Sequence, residues 1–137
     1  MKVLFKELRV STTERVQLID VTSDVERFIR DSGVRDGLCL VYAPHATVAM
    51  IANEQESGLL RDIIEKVKED YPKGAGWSHD RIDDNASAHL ASAFIGSSRI
   101  FPVRNGSLVR GTWQSIFLME LDGPRSSRVV VLEAIGE

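Results

Sequence analysis

The chain holds three histidines, His45, His79 and His89, and these residues have the most obvious capacity for chemistry. A neutral imidazole is the commonest protein ligand for zinc and also suits iron, nickel and copper. Three imidazoles that leave one coordination position open make a catalytic zinc arrangement, in which bound water is acidified towards neutral pH. The spacing does not join them by itself. His79 and His89 are too far apart in sequence for one helical turn, and no short H-x-x-x-H pattern occurs. Each histidine can equally satisfy a local hydrogen bond at the edge of a core or stand in solvent, because the residue is intermediate in burial.

Polar residues at the ends of neighbouring segments add to the set. Asn53-Glu54 closes the segment after His45, and Asp83-Asp84-Asn85 opens the one that carries His89. An acid beside a metal site serves as general base, or orients a ligating imidazole through its second nitrogen. Helix capping accounts for Asp83, Asp84 and Asn85 equally well, and entry into a helix accounts for Asn53-Glu54. In Gly111-Thr112-Trp113-Gln114, the glycine can mark close approach of a ligand, Trp113 a flat apolar wall, and Gln114 an amide that donates and accepts. A bulge with Trp113 in the core is the plainer alternative. Arg125, in Asp122-Gly123-Pro124-Arg125, can grip a phosphate or carboxylate bidentately or be an exposed turn residue. No Walker-type loop, dinucleotide fingerprint or G-x-S-x-G elbow is present, which removes several large enzyme classes.

The elements that must position these residues follow from pattern. Val3 to Val10 reads as a strand, Arg15 to Val21 alternates as a second, and Ser11-Thr12-Thr13 between them suits a hairpin loop. Ser23-Asp24-Val25-Glu26 has the form of a capping box before a short helix that buries Val25, Phe28 and Ile29 and stops at Gly33. Gly37 to Tyr42 is a continuous apolar run, as in a central strand buried on both faces, and Thr47 to Ala52 is a second such run or its return arm. A longer helix covers about Glu56 to Asp70, with Leu59, Leu60, Ile63, Ile64 and Val67 on one face. A third helix starts near Asp84-Asn85 and turns Ala86, Leu90, Ala93 and Phe94 inward. The last third is strand, with a two-residue hairpin at Asn105-Gly106, a long strand from Trp113 to Leu121 and another from Arg128 to Glu133.

Many strands beside three separated helices predict one α+β domain over residues 1–137, β-rich, with mixed and largely antiparallel sheets. A content of 43% hydrophobic and 27% charged residues argues against disorder. The net charge of -3, with basic residues scattered among acidic ones, argues against nucleic acid as a partner. The single Cys39 lies in an apolar run and reads as a buried, inert thiol. With no apolar leader and no membrane-length apolar segment, the expected location is the cytoplasm, with no membrane partner.

The run Ala43-Pro44-His45-Ala46-Thr47-Val48-Ala49 followed by Asn53-Glu54 resembles the P-H-T-T-A…N-E signature of the YjbQ family. His79, Asp84 to His89, Gly96-Ser97-Ser98, Pro102 to Gly106, Gly111 to Gln114 and Asp122 to Arg125 follow in the order and spacing of that family, from about residue 5 to the C-terminus. The resemblance implies a compact β-rich α+β fold, a homotrimer, and a polar histidine site that holds a divalent metal such as zinc. It also implies a secondary thiamine-phosphate synthase activity, which joins a pyrimidine diphosphate to a thiazole phosphate with loss of pyrophosphate. Ala46 stands where the family has Thr, which removes a hydroxyl beside His45 and leaves that of Thr47.

These readings combine into an enzyme for a small anionic or phosphorylated metabolite. His45, His79 and His89 are the metal ligands; Glu54, Asn85 and Gln114 the catalytic groups; Thr47, Trp113 and Arg125 the substrate contacts. Three imidazoles suit water activation or Lewis-acid polarisation, whereas pyrophosphate departure calls for Mg²⁺ or cationic clamps. A metal-dependent hydrolase of a small anionic metabolite and a non-catalytic trimeric metal- or ligand-binding module are the competing readings.

Overall fold

The computed structural model describes all of residues 1–137. Eight strands and three helices follow one another as β1 (Lys2–Val10), β2 (Gln17–Asp20), α1 (Thr22–Ser32), β3 (Gly37–Tyr42), β4 (Val48–Glu54), α2 (Ser57–Asp70), α3 (Ala86–Ile95), β5 (Ser98–Arg104), β6 (Ser107–Leu108), β7 (Gln114–Glu120) and β8 (Arg128–Gly136). A four-residue 3₁₀ turn, Ser78–Arg81, precedes α3. The strands make two sheets, ordered β1-β8-β3-β5-β6 and β2-β7-β4. Every pairing is antiparallel. The β-rich α+β class is as the pattern predicts; the sheets contain no parallel pair.

The two sheets and α1 enclose one apolar layer. Cys39 and Val41 of β3 and Val130, Leu132 and Ala134 of β8 face Met50 of β4 and Ile116 and Leu118 of β7. On its other face the three-stranded sheet carries a second layer, where Ala49, Met119 and Leu121 meet Ala88 and Ala91 of α3 and Ile63, Ile64 and Val67 of α2. β4 and β7 are thus covered on both sides, which explains their unbroken apolar runs. Burial pushes the Cys39 thiol up to about 12, so it is inert, as expected.

Several local expectations give way to stronger interactions. β1 and β2 do not form a hairpin: β1 pairs with β8 and β2 with β7, and residues 11–16 cross from one sheet to the other. The Ser23 capping box does not form, because α1 starts at Thr22, where the Asp20 carboxylate accepts from both the Thr22 amide at 2.9 Å and its hydroxyl. β3 is central but buried on one face only, with Leu38 and Tyr42 exposed on the other. The face of α3 is also rotated from the expected one: Ala88, Ala91 and Ser92 are buried, and Phe94 is 75% exposed. Its small residues allow close approach to β4, which a ring at 94 could not. The Asn105-Gly106 hairpin forms as predicted between β5 and β6, with φ 53° and 78°, the left-handed pair such a turn needs.

Candidate functional site

Register places the candidate residues. Val48 and Gln17 both stand opposite Glu120, Arg128 opposite Val10, and Tyr42 opposite Val131. One end of the sandwich therefore receives three crossovers between the sheets: residues 11–16, 43–47 and 121–127. His45, Thr47 and Arg125 all lie in them.

Across this end runs a closed network of buried charge. Glu120 is fully buried, and Arg128 is nearly so. The Arg128 guanidinium donates to both carboxylate oxygens of Glu120 and, through Nη2, to the Thr47 hydroxyl at 2.9 Å. Thr12 donates its hydroxyl to Glu120 Oε1 at 2.7 Å, and the Leu121 and Asp122 amides donate to Oε2. Burial raises the Glu120 pKa, but the hydrogen bonds from Arg128, Thr12 and the Asp122 amide outweigh it and hold the carboxyl below its ordinary value. The Thr12 amide also donates to the Arg125 carbonyl, and the Arg125 amide donates to the Thr12 hydroxyl oxygen, which staples two crossovers together. A methyl group at Gly123 would lie 2.2 Å from the Glu14 carbonyl, so only glycine lets the third crossover pass.

His45 sits against this network. Its Nε2 accepts from the Val129 amide at 2.8 Å. Burial, and then the positive charge of Arg128, lower its pKa, so the ring is neutral at pH 7 with its proton on Nδ1. In this arrangement the one imidazole lone pair is already engaged, and metal ligation by Nε2 requires the Val129 bond to break.

His79 and His89 form a second group. Their rings meet edge to face with centroids 4.7 Å apart. Together with Trp77, Ser78, Ala86 and Leu90 they line a cavity of about 240 Å³. No group of three or more His, Cys, Asp or Glu side chains converges in a metal-holding geometry, so the three histidines are not one cluster. What links the groups is a polar ladder. Asn85 Nδ2 donates to Asp122 Oδ2 at 2.9 Å, and Arg125 Nη2 donates to the same oxygen at 2.9 Å. Arg125 Nε donates to the Asp122 carbonyl, leaving the rest of a half-exposed guanidinium free for an anion. Asp80 Oδ1 accepts from the Ala86 amide at 3.0 Å, capping α3 in place of Asn85.

The other candidates stand elsewhere. Glu54 pairs with Gln114 at the far end of β4 and β7, six residues and roughly 20 Å from Val48. There the Gln114 side chain accepts from the Gly111 amide at 2.7 Å, and Trp113 is 74% exposed rather than in the core. Within one chain Glu54, Trp113 and Gln114 do not join His45, His79, His89, Asn85, Thr47 and Arg125. Gln114 and Asn53 instead border an apolar groove of about 660 Å³ between α2 and β5.

Asp80, Glu120 and Arg128 escape a reading of the sequence by motif, and Asp122 enters it only as part of the turn that carries Arg125. A signal for two of them exists: Glu120 ends the apolar run Ile116–Met119, and Arg128 begins Val129–Leu132. Opposite charges at the adjoining ends of two apolar strands read as a buried pair.

The chain as a whole has close counterparts. The family model for UPF0047 protein YjbQ-like matches residues 6–137. A UPF0047 protein of Archaeoglobus fulgidus is 50% identical over 125 residues, covering 91% of this chain and 97% of the relative. One from Methanothermobacter thermautotrophicus is 46% identical, covering 96% and 92%. Among solved structures, a YbjQ-like protein of unknown function from Sulfolobus solfataricus superposes with a TM-score of 0.98 at 51% identity, with 99% of each chain covered. With the family model spanning nearly the whole chain, the fold is that of the UPF0047, YjbQ-like family, to which this chain belongs.

Proposed function

We propose that this protein is a cytoplasmic enzyme acting on a small anionic or phosphorylated metabolite at the end of the sandwich where the three crossovers meet. The observation that carries the reading is the Asn85–Asp122–Arg125 ladder. It ties a guanidinium with donors to spare, through Asp122, to Asn85 at the start of the helix that carries His89, and planar bidentate donors are suited to phosphate or carboxylate. A divalent metal held at the histidine region would supply Lewis-acid polarisation when bound. The chain's own groups bind and orient: Arg125 takes the anion, Asn85 holds the ladder in register, and the neutral His45 offers an Nδ1 proton donor. The Thr47 hydroxyl is committed to Arg128, so it supports the site from behind.

Formation of thiamine phosphate from the pyrimidine diphosphate and thiazole phosphate is the first transfer to assay, with hydrolysis of small phosphoesters in parallel. Arg125→Ala should raise KM for the anionic substrate at least tenfold, and Glu54→Gln should leave kcat/KM unchanged in a site built within one chain. Activity unaltered by Arg125→Ala overturns the reading.

The outer face of the five-stranded sheet, with Phe5, Leu38, Tyr42, Ile100 and Ile135 exposed, supports self-association, which we propose gives a homotrimer. Light scattering that gives a monomer mass refutes the assembly. Glu54, Trp113 and Gln114 then have a route to the site only through a neighbouring subunit.

A further inference from the structure

The largest hollow in this protein lies away from the crossover end. It is the groove of about 660 Å³ between α2 and β5, a volume in the range of small-molecule sites. Two periodicities build it. Asp62, Ile63, Lys66 and Val67, at positions i, i+1, i+4 and i+5, share one face of α2. Ile51 and Asn53, alternate residues of β4, stand on the side of the three-stranded sheet that this helix covers. Ile95, Phe101 and Met119 complete the apolar lining.

Three polar groups on that lining carry donors without a partner. Arg99 is half-buried, and no carboxylate pairs with it. Its Nη1 donates to the Ser98 carbonyl at 2.9 Å and its Nη2 to the Ile95 carbonyl at 3.0 Å. Those bonds fix the guanidinium and leave three of its five N–H groups free. Asn53 Oδ1 accepts from the Glu54 amide at 2.8 Å, and Gln114 Oε1 from the Gly111 amide at 2.7 Å. Both side-chain NH₂ groups are therefore uncommitted. The other charges on the lining, Asp62 and Lys66, are exposed, and Lys66 is held by Asp70 at 3.2 Å. Water satisfies an exposed carboxylate such as Asp62, whereas a half-buried guanidinium with no counter-ion gains from an anion. Free donors over an apolar floor are the complement of an acid with an apolar body.

We propose that this groove binds a small amphipathic carboxylic acid, its carboxylate on Arg99 and its hydrocarbon body along Ile51, Ile63, Val67 and Ile95. The fork of the guanidinium matches a carboxylate through two parallel hydrogen bonds. The site is separate from the one that Arg125 serves, and it rests on neither the histidines nor the proposed reaction.

The test is calorimetric titration of the full chain with octanoate, with octan-1-ol as the uncharged counterpart. The expected result is one octanoate per chain, bound at least tenfold more tightly than octan-1-ol. Hexanoate, two methylenes shorter, should bind roughly tenfold more weakly than octanoate. Arg99→Gln should lower octanoate affinity at least tenfold and leave octan-1-ol unaffected, with circular dichroism confirming the fold. Arg99→Lys should recover part of the loss, because the charge returns without the fork. Asp62→Asn should bind octanoate no less tightly, and Arg125→Ala should bind it as the parent chain does. No uptake by the parent chain, as when a second copy fills the groove, overturns the proposal. Equal affinity for hexanoate, full affinity in Arg99→Gln, or a loss in Arg125→Ala overturns it as well.

Discussion

Two histidine environments share one end of this sandwich, and they are built to opposite rules. Around His45 every buried polar group has a partner: Glu120 is bonded by Arg128, Thr12 and two amides, and the imidazole lone pair by Val129. Around His79 three buried atoms have none. A saturated network fixes geometry, because no member can move without exposing another, whereas open lone pairs are a cost to the free protein that a ligand can repay. The first region reads as the frame and the second as the working face.

The largest effect should come from breaking the frame. Arg128→Met leaves Glu120 buried without its partner and should cost about 3–5 kcal/mol of stability in urea unfolding. The double variant Glu120→Leu with Arg128→Met should recover much of that loss, since an apolar pair needs no compensation. Recovery to the parent's stability with the single variant alone would show that the pair is not the frame. Next, Gly123→Ala forces a methyl group against the Glu14 carbonyl and should destabilise by about 1–3 kcal/mol on the same measurement.

Acidity sharpens the contrast further. The folded His45 pKa is below its ordinary 6.5, so the unfolded chain takes up a proton first and stability falls as pH drops from 6.5 towards the folded value. Glu120 is also shifted down, from 4.5, so its contribution is present above 4.5 and is lost as pH falls through the lower folded value. Thermal melts across pH should therefore show two declines. His45→Gln, whose amide oxygen can still accept from Val129, should erase the upper one and leave the lower. An unchanged upper decline would place that titration elsewhere.

The smallest effects are expected off the frame. Trp113→Ala at the far end of β7, where the ring is exposed, should change stability by no more than about 0.5 kcal/mol.

Much of the architecture was legible because it is local. The apolar face of α2 and the left-handed pair at Asn105-Gly106 are properties of a few neighbouring residues. What escaped the pattern depends on partners distant in sequence. Ser11 to Thr13 read as a hairpin because nothing nearby tells that Val10 pairs with Arg128 rather than with β2. Hydrophobicity alone points Phe94 inward, but α3 meets β4 through Ala88 and Ala91, and a large ring cannot enter so close a contact. Candidate residues could be found one at a time by type, whereas their division between the two ends of β4 and β7 needed the strand register. Asp80 carries no signature of its own, Asp122 reads only as the start of a turn, and their bonds to Ala86 and Asn85 give them a role.

The contrast between frame and working face is tested most directly by anomalous diffraction at the zinc edge, from crystals grown with Zn²⁺. The account predicts zinc beside the His79–His89 pair with the His45–Val129 bond intact. A peak at His45 Nε2 with the Val129 amide displaced, or none at His79, would contradict it.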